Sequence, residues 1–191
     1  MRFSSLLAPI SLIGMASALP SLAKRGGGGD EGKCIPYNTA VEIVDQFVST
    51  LTNFDTNVAT NLLAPSFTDT SDSINFLAGI PLGSVTFPSP AAYIAGQGTQ
   101  PPIGLDILNI DAVTCDGVIV FRWQAYVGIQ VGPVKGITVL YAVQSGSDCD
   151  VVGPTGYQLG KLYSEFNSAV WTLDIGGTCT PPSAPSRLFK V

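Results

Sequence analysis

The sequence predicts an α+β domain in which helices come first and a curved antiparallel sheet then wraps around them as a cone-shaped barrel with an open mouth. Three observations point there. Apolar residues recur at helical spacing from residue 39 to 63, and β-branched and aromatic runs fill residues 103 to 175. The breaks between those runs carry hairpin chemistry, and helices followed by successive strands are an α+β order. With 191 residues, 46% of them apolar, the chain can bury one core and is too apolar to be disordered.

Helical spacing begins at Thr39, where Thr39-x-x-Glu42 has the form of a capping box. Val41, Val44, Val48 and Leu51 then share a stripe, with Ala40, Ile43, Phe47 and Phe54 beside it. Asp55 or Thr56 would cap a second helix carrying Val58, Ala59, Leu62 and Leu63, ended by Pro65. A short strand is expected at Phe67 to Ser71. A third helix is marked by Ser89 with Pro90 at its first position, where the missing N–H does no harm, and Gly96 and Gly98 close it.

Four strands follow, at Ile103 to Ala112, Val118 to Val127, Gly136 to Gln144 and Lys161 to Ile175. Asp116-Gly117, Gly132-Pro133 and a long loop from Ser145 to Gly160 would join them as an antiparallel meander. The second strand has one apolar face, Ile119, Phe121, Trp123, Ala125 and Val127, and one mixed face. The third is apolar on both faces, so it is either doubly buried or meets another subunit with Ile137, Val139, Tyr141 and Val143.

The N-terminus reads as an export signal. Residues 1–18 join Arg2 to a short apolar run and a small-x-small end at Ala18, too short to span a bilayer. Residues 19–25 form a pro-segment ending in the dibasic pair Lys24-Arg25, and residues 26–33 a flexible glycine-rich lead. Cleavage there would leave six basic against fourteen acidic residues, a charge of −8 on a secreted protein. Cys34, Cys115, Cys149 and Cys179 would then form two disulfides, with three connectivities open.

Composition excludes several chemistries. The chain has no histidine, which removes Ser-His-Asp and Cys-His catalysis and histidine-ligated zinc. An acidic chain with nine basic residues lacks a nucleic-acid footprint. Gly27-x-Gly29-x-x-Gly32 matches the dinucleotide pattern in form, but no strand precedes it, so no cofactor is expected.

FTDTSDS (67 to 73), PLGSVTF (81 to 87), AGQGTQPPI (95 to 103), VIVFRW (118 to 123) and LYSEFNSAVW (162 to 171) resemble secreted ascomycete proteins of the nuclear-transport-factor-2-like superfamily. The resemblance covers roughly residues 34 to 176 and leaves residues 177–191 as an irregular tail. It implies the cone-shaped fold, an internal pocket and a homodimer through the outer sheet. It also implies a Cys34–Cys115 disulfide, leaving Cys149 with Cys179, although Cys115 and Cys149 sit in turns at one end of the meander and compete as a pair. The superfamily spans isomerases, cyclases, dehydratases and binding domains, so the fold alone does not choose among them.

Without histidine, a pocket enzyme of this kind would use carboxylate and tyrosine, as ketosteroid isomerase does. Asp69 stands where that family carries its strand carboxylate, and is the general-base candidate. Asp72 would point to the opposite face of a regular strand. Phe47, Trp123 and Tyr141 are candidate ligand contacts. Tyr163, Glu165 and Asn167 alternate along one strand face and are candidates too, unless that face is the solvated one and Leu162, Ser164 and Phe166 point inward. Arg122 would hold an anionic group or form a surface ion pair. The expected function is binding of a small hydrophobic ligand. The alternatives are interaction through the outer sheet face, or cofactor-free isomerase, cyclase or dehydratase chemistry.

Overall fold

The computed structural model describes residues 34–146, 153 and 156–180. The expected signal and pro-segments, the glycine-rich lead, Cys149 and the tail beyond Thr180 lie outside the described residues. The elements are α1 (Tyr37–Thr52), α2 (Thr56–Leu62), β1 (Leu63–Thr70), α3 (Asp72–Ala78), α4 (Pro90–Gln97), β2 (Gly104–Val113), β3 (Val118–Tyr126), β4 (Val134–Gln144), β5 (Tyr157–Phe166) and α5 (Ser168–Asp174). One five-stranded sheet has the order β1-β5-β4-β3-β2. Its last four strands form the antiparallel meander, and β1 adds to β5 in parallel. The sheet is therefore mixed and does not close into a barrel, because β1 and β2 remain its two edges.

Helix α1 crosses the inner face of this sheet. Its buried stripe is Ala40, Ile43, Val44, Phe47 and Thr50, and Phe47 meets Phe121 of β3 edge-on with ring centroids 6.1 Å apart. The capping box does not form. The helix starts two residues before Thr39, with Pro36 as an N-cap that offers no side-chain acceptor, and Thr39 is buried inside the helix. At α2 the cap is Asp55, whose Oδ1 accepts from the backbone N–H of Asn57 and Val58. That helix passes directly into β1 at Leu63. Pro65 sits within the strand, where pairing with β5 is irregular between Leu63 and Thr68, as an edge strand tolerates.

Two helices go beyond the sequence reading: α3 directly follows the expected short strand, and α5 takes the place of the end of the expected last strand. Ser71 ends β1 and caps α3, its hydroxyl accepting from Ile74 N–H, and Gly79 stops the helix at φ +70°, a conformation that favours glycine. The last strand stops at Phe166 rather than running to Ile175. Asn167 accepts from Val170 N–H and turns the chain into α5. Residues 177–180 are exposed and have no regular structure.

The meander follows the alternation expected of it. Ile119, Phe121, Trp123 and Ala125 are buried, and Leu140 and Ala142 of β4 continue that face. The opposite face of β4 is not doubly buried. Ile137, Tyr141 and Val143 are exposed in the single chain. Cys34, just before α1, is disulfide-bonded to Cys115 in the β2–β3 turn, which rules out Cys115–Cys149. Cys179 is exposed and unpaired among the described residues.

Candidate functional site

Between α1, the α3 and α4 helices and the inner sheet face lies a cavity of about 290 Å³. That is near the lower end of the ~300–1,000 Å³ typical of small-molecule sites. Phe47 and Leu51 come from α1, Ile74, Leu77 and Ala78 from α3, and Tyr93 and Gln97 from α4. The sheet contributes Asp69, Leu105, Trp123, Leu162, Ser164 and Phe166, and α5 contributes Trp171. The large aromatics surround the space without filling it.

Strand periodicity puts Asp69 there. Phe67 and Asp69 are two apart on β1 and both point inward, at 0% and 2% exposure. Asp69 backbone pairs with Phe87 in an isolated bridge, its N–H donating to Phe87 O at 2.9 Å while its carbonyl accepts from Thr86 and Phe87 N–H. The side chain is treated differently: Oδ1 is buried with no hydrogen-bond partner among the described residues. Burial, with the nearby Glu165 charge adding to it, pushes the Asp69 carboxyl up to about 7. Tyr93, fully buried, is pushed well above the usual phenol range, chiefly by burial; its hydrogen bond to Thr50 opposes the rise and the Asp69 charge adds to it.

The other polar groups of the wall are committed to each other. Tyr93 Oη lies 2.7 Å from Thr50 Oγ1. Trp123 Nε1–H donates to Thr138 Oγ1 at 2.9 Å, and Thr138 lies 2.9 Å from Ser164 Oγ. Gly136 makes room for this indole, since a Cβ there would run into the Trp123 ring. Phe166 stands between Trp123 and Trp171, with centroids 5.7 and 5.0 Å away, so one aromatic wall runs from β3 to α5.

The remaining candidates lie elsewhere. Tyr163, Glu165 and Asn167 face outward while Leu162, Ser164 and Phe166 face in. The Glu165 carboxylate accepts from Asp72 N–H at 2.7 Å, Ser73 N–H at 3.0 Å and Ser73 Oγ–H at 2.6 Å, fastening the start of α3. Asn167 is the cap of α5. Tyr163 packs edge-on with Tyr141 on the outer face, centroids 6.0 Å apart, with Lys161 near both rings. Arg122 is exposed and forms a two-pronged pair with Asp111, at 2.8 and 3.0 Å, which holds the Asp111 carboxyl down to about 2. Asp72 does not sit on a strand; it opens α3 and accepts from Gly83 N–H at 2.6 Å. Sequence reasoning missed the contributions of α3 and α5. Ser71 before Asp72 and Ile74, with Gly79 eight residues after Ser71, was the available signal for the first, and Asn167 before a Gly176-Gly177 stop for the second.

A mixed sheet with helices on one face and an internal cavity defines the class, and comparison with known proteins agrees. Residues 33–178 match the family model of the NTF2-like domain, and the chain belongs to that family. Among solved structures, an NTF2-like protein of unknown function from Burkholderia pseudomallei K96243 is 16% identical with a TM-score of 0.53, over 73% of this chain and 98% of its own. The CaMKII hub of S. rosetta is 10% identical with a TM-score of 0.53, over 68% of this chain and 95% of the hub. A hypothetical protein with ketosteroid isomerase-like fold from Catenulispora acidiphila DSM 44928, in complex with trimethylamine, is 13% identical with a TM-score of 0.52, over 73% and 98%. At such identities the likeness is one of fold, and those partners and ligands belong to those proteins. No curated protein sequence matches the chain.

Proposed function

We propose that this protein binds a small, mainly apolar molecule in the inner cavity, oriented by one polar contact to Asp69. The observation that carries this reading is the cavity itself: aromatic and aliphatic walls with the Asp69 carboxyl among them. An apolar guest displaces water from the walls, and a polar group of the guest pairs with the Asp69 carboxyl. The protein acts outside the cell on this reading, supported by the Cys34–Cys115 disulfide and the signal-like residues 1–18.

Both tryptophans of the chain, Trp123 and Trp171, line the cavity, so intrinsic fluorescence reports on it directly. Titration with cyclohexanol is expected to give a saturable change, lost in Ala78→Phe, where an exposed position on the cavity wall gains a bulky ring. A flat titration up to the solubility limit overturns the reading.

Two observations favour other uses of the same molecule. A carboxyl titrating near 7 inside an apolar cavity suits a general base, so cofactor-free proton transfer on a bound carbonyl compound is the second reading. Exposed Ile137, Tyr141, Val143 and Tyr163 on the outer sheet face suit contact with another molecule, including a second copy of this chain. Sedimentation of the purified protein tests self-association, with a monomer at all concentrations excluding it.

A further inference from the structure

We infer that the molecule held in this cavity carries a protonated amine, which lies against the aromatic wall and donates a hydrogen bond to Asp69. The inference rests on the pocket reading above and names the chemical class of its ligand. Among the described residues, the cavity is lined by no Lys or Arg, and the chain has no histidine. Nothing in the lining would therefore balance an anionic ligand, which would also lie against the Asp69 carboxyl. A neutral hydrocarbon would fill the space but leave Asp69 Oδ1 buried and unpaired, which is costly.

An ammonium group resolves both problems at once. It supplies the absent positive charge and an N–H donor for the Asp69 carboxylate. The walls suit the rest of its surroundings. Phe47, Tyr93, Trp123, Phe166 and Trp171 all line the same cavity as Asp69, and aromatic faces attract cations most strongly when water is excluded. Two of the wall's own donors are committed to other partners: the Trp123 N–H is spent on Thr138, and the Tyr93 hydroxyl is paired with Thr50. Gln97 and Gln100 add neutral amides at the lining.

The binding would depend on pH in a defined direction. One ionisable group acts on Asp69, namely Glu165 from β5, and it opposes the ionised form; the Asp69 charge in turn raises Tyr93 of α4. Helix α1 and strand β3 bring Phe47, Leu51 and Trp123 to the cavity, none of them ionisable. The empty site is therefore protonated below about pH 7, and an ammonium ligand must displace that proton. Apparent affinity scales with the ionised fraction of Asp69, which falls about tenfold between about pH 8 and about pH 6.

The test compares cyclohexylamine with cyclohexanol, near-isosteric probes that differ in charge, by the same fluorescence titration at about pH 8 and about pH 6. The amine is expected to bind at least about tenfold more tightly than the alcohol at the higher pH. It should lose about tenfold at the lower pH, while the alcohol, which does not need the ionised carboxylate, does not weaken. In Asp69→Asn the amine's advantage should vanish and cyclohexanol binding should persist, which shows that the variant is folded. Alcohol binding with no preference for the amine overturns the amine inference and leaves the pocket reading standing. Unchanged amine binding by Asp69→Asn overturns the role given to Asp69. Binding of neither probe overturns both readings.

Discussion

Replacing Asp69 by Asn should stabilise the protein at neutral pH, by an amount the structure sets. The carboxyl titrates at about 7 when folded and, in the unfolded chain, near its ordinary value of 3.8. Below 3.8 both states hold the proton and the group is neutral toward folding. Between the two values the folded chain holds a proton that the unfolded chain has released, so stability falls as pH rises through this window. About three pH units at ~1.4 kcal/mol each gives a loss of about 4 kcal/mol by pH 8. Asn keeps the shape and cannot ionise, so it escapes that loss. The assay is urea unfolding of both proteins, disulfide intact, at several pH values from 4 to 8. The stability of Asp69→Asn minus wild type should grow by about 4 kcal/mol across the range, which cancels the contribution of every other carboxylate. A difference that stays flat, or that turns against the variant as pH rises, would refute the claim that this carboxyl is buried without a compensating partner.

Three further outcomes follow from the same geometry. Glu165→Gln should weaken the fastening of α3 by about 1 kcal/mol, discounted for its exposed position, and bring the Asp69 transition to lower pH, though not to 3.8, because burial is the larger cause; the same pH series of urea curves measures both. Thr138→Val should cost ~1–3 kcal/mol in urea midpoint terms, since it strands the buried Trp123 N–H and the Ser164 hydroxyl together. The Cys34→Ala/Cys115→Ala double variant should lose about 4 kcal/mol by the chain-entropy estimate for residues 81 apart, and wild type under reducing conditions should match it; equal stability with and without reductant would show that the bridge contributes nothing.

How far the sequence could be read depended on whether each element carried its own signal. The meander was legible because β3 alternates strictly, and one buried face of Ile119, Phe121, Trp123 and Ala125 fixes the register of everything paired to it. Ser89-Pro90 and Asp55 marked helix starts because their chemistry is local. Thr39 failed as a cap because the helix gains more by beginning earlier and burying Thr39 beside Ala40 than by leaving it at the end. Helices α3 and α5 are seven residues each and were hidden by their neighbours. The apolar residues of AVWTL suit a strand as readily as a helix, and only the Asn167 cap separates the two.

The site divided along the same line. Asp69, Phe47 and Trp123 sit on elements whose inward face could be read, and all three line the cavity. Tyr163 and Glu165 share one face of β5, with Asn167 just past its end as the α5 cap, and the choice between the two faces needed the sheet's packing to settle it. Ile74, Leu77 and Trp171 belong to the two unforeseen helices, which is why the far wall of the cavity was missing from the sequence reading.

The central claim is that Asp69 lies at the wall of a water-poor binding cavity. Its most direct test is a ¹³C NMR titration of the Asp69 side-chain carboxyl, with and without saturating cyclohexanol. The account predicts a midpoint near 7 in the free protein, moving higher when the neutral guest removes the remaining water from the carboxylate. A midpoint near 4 that ignores the guest would contradict it.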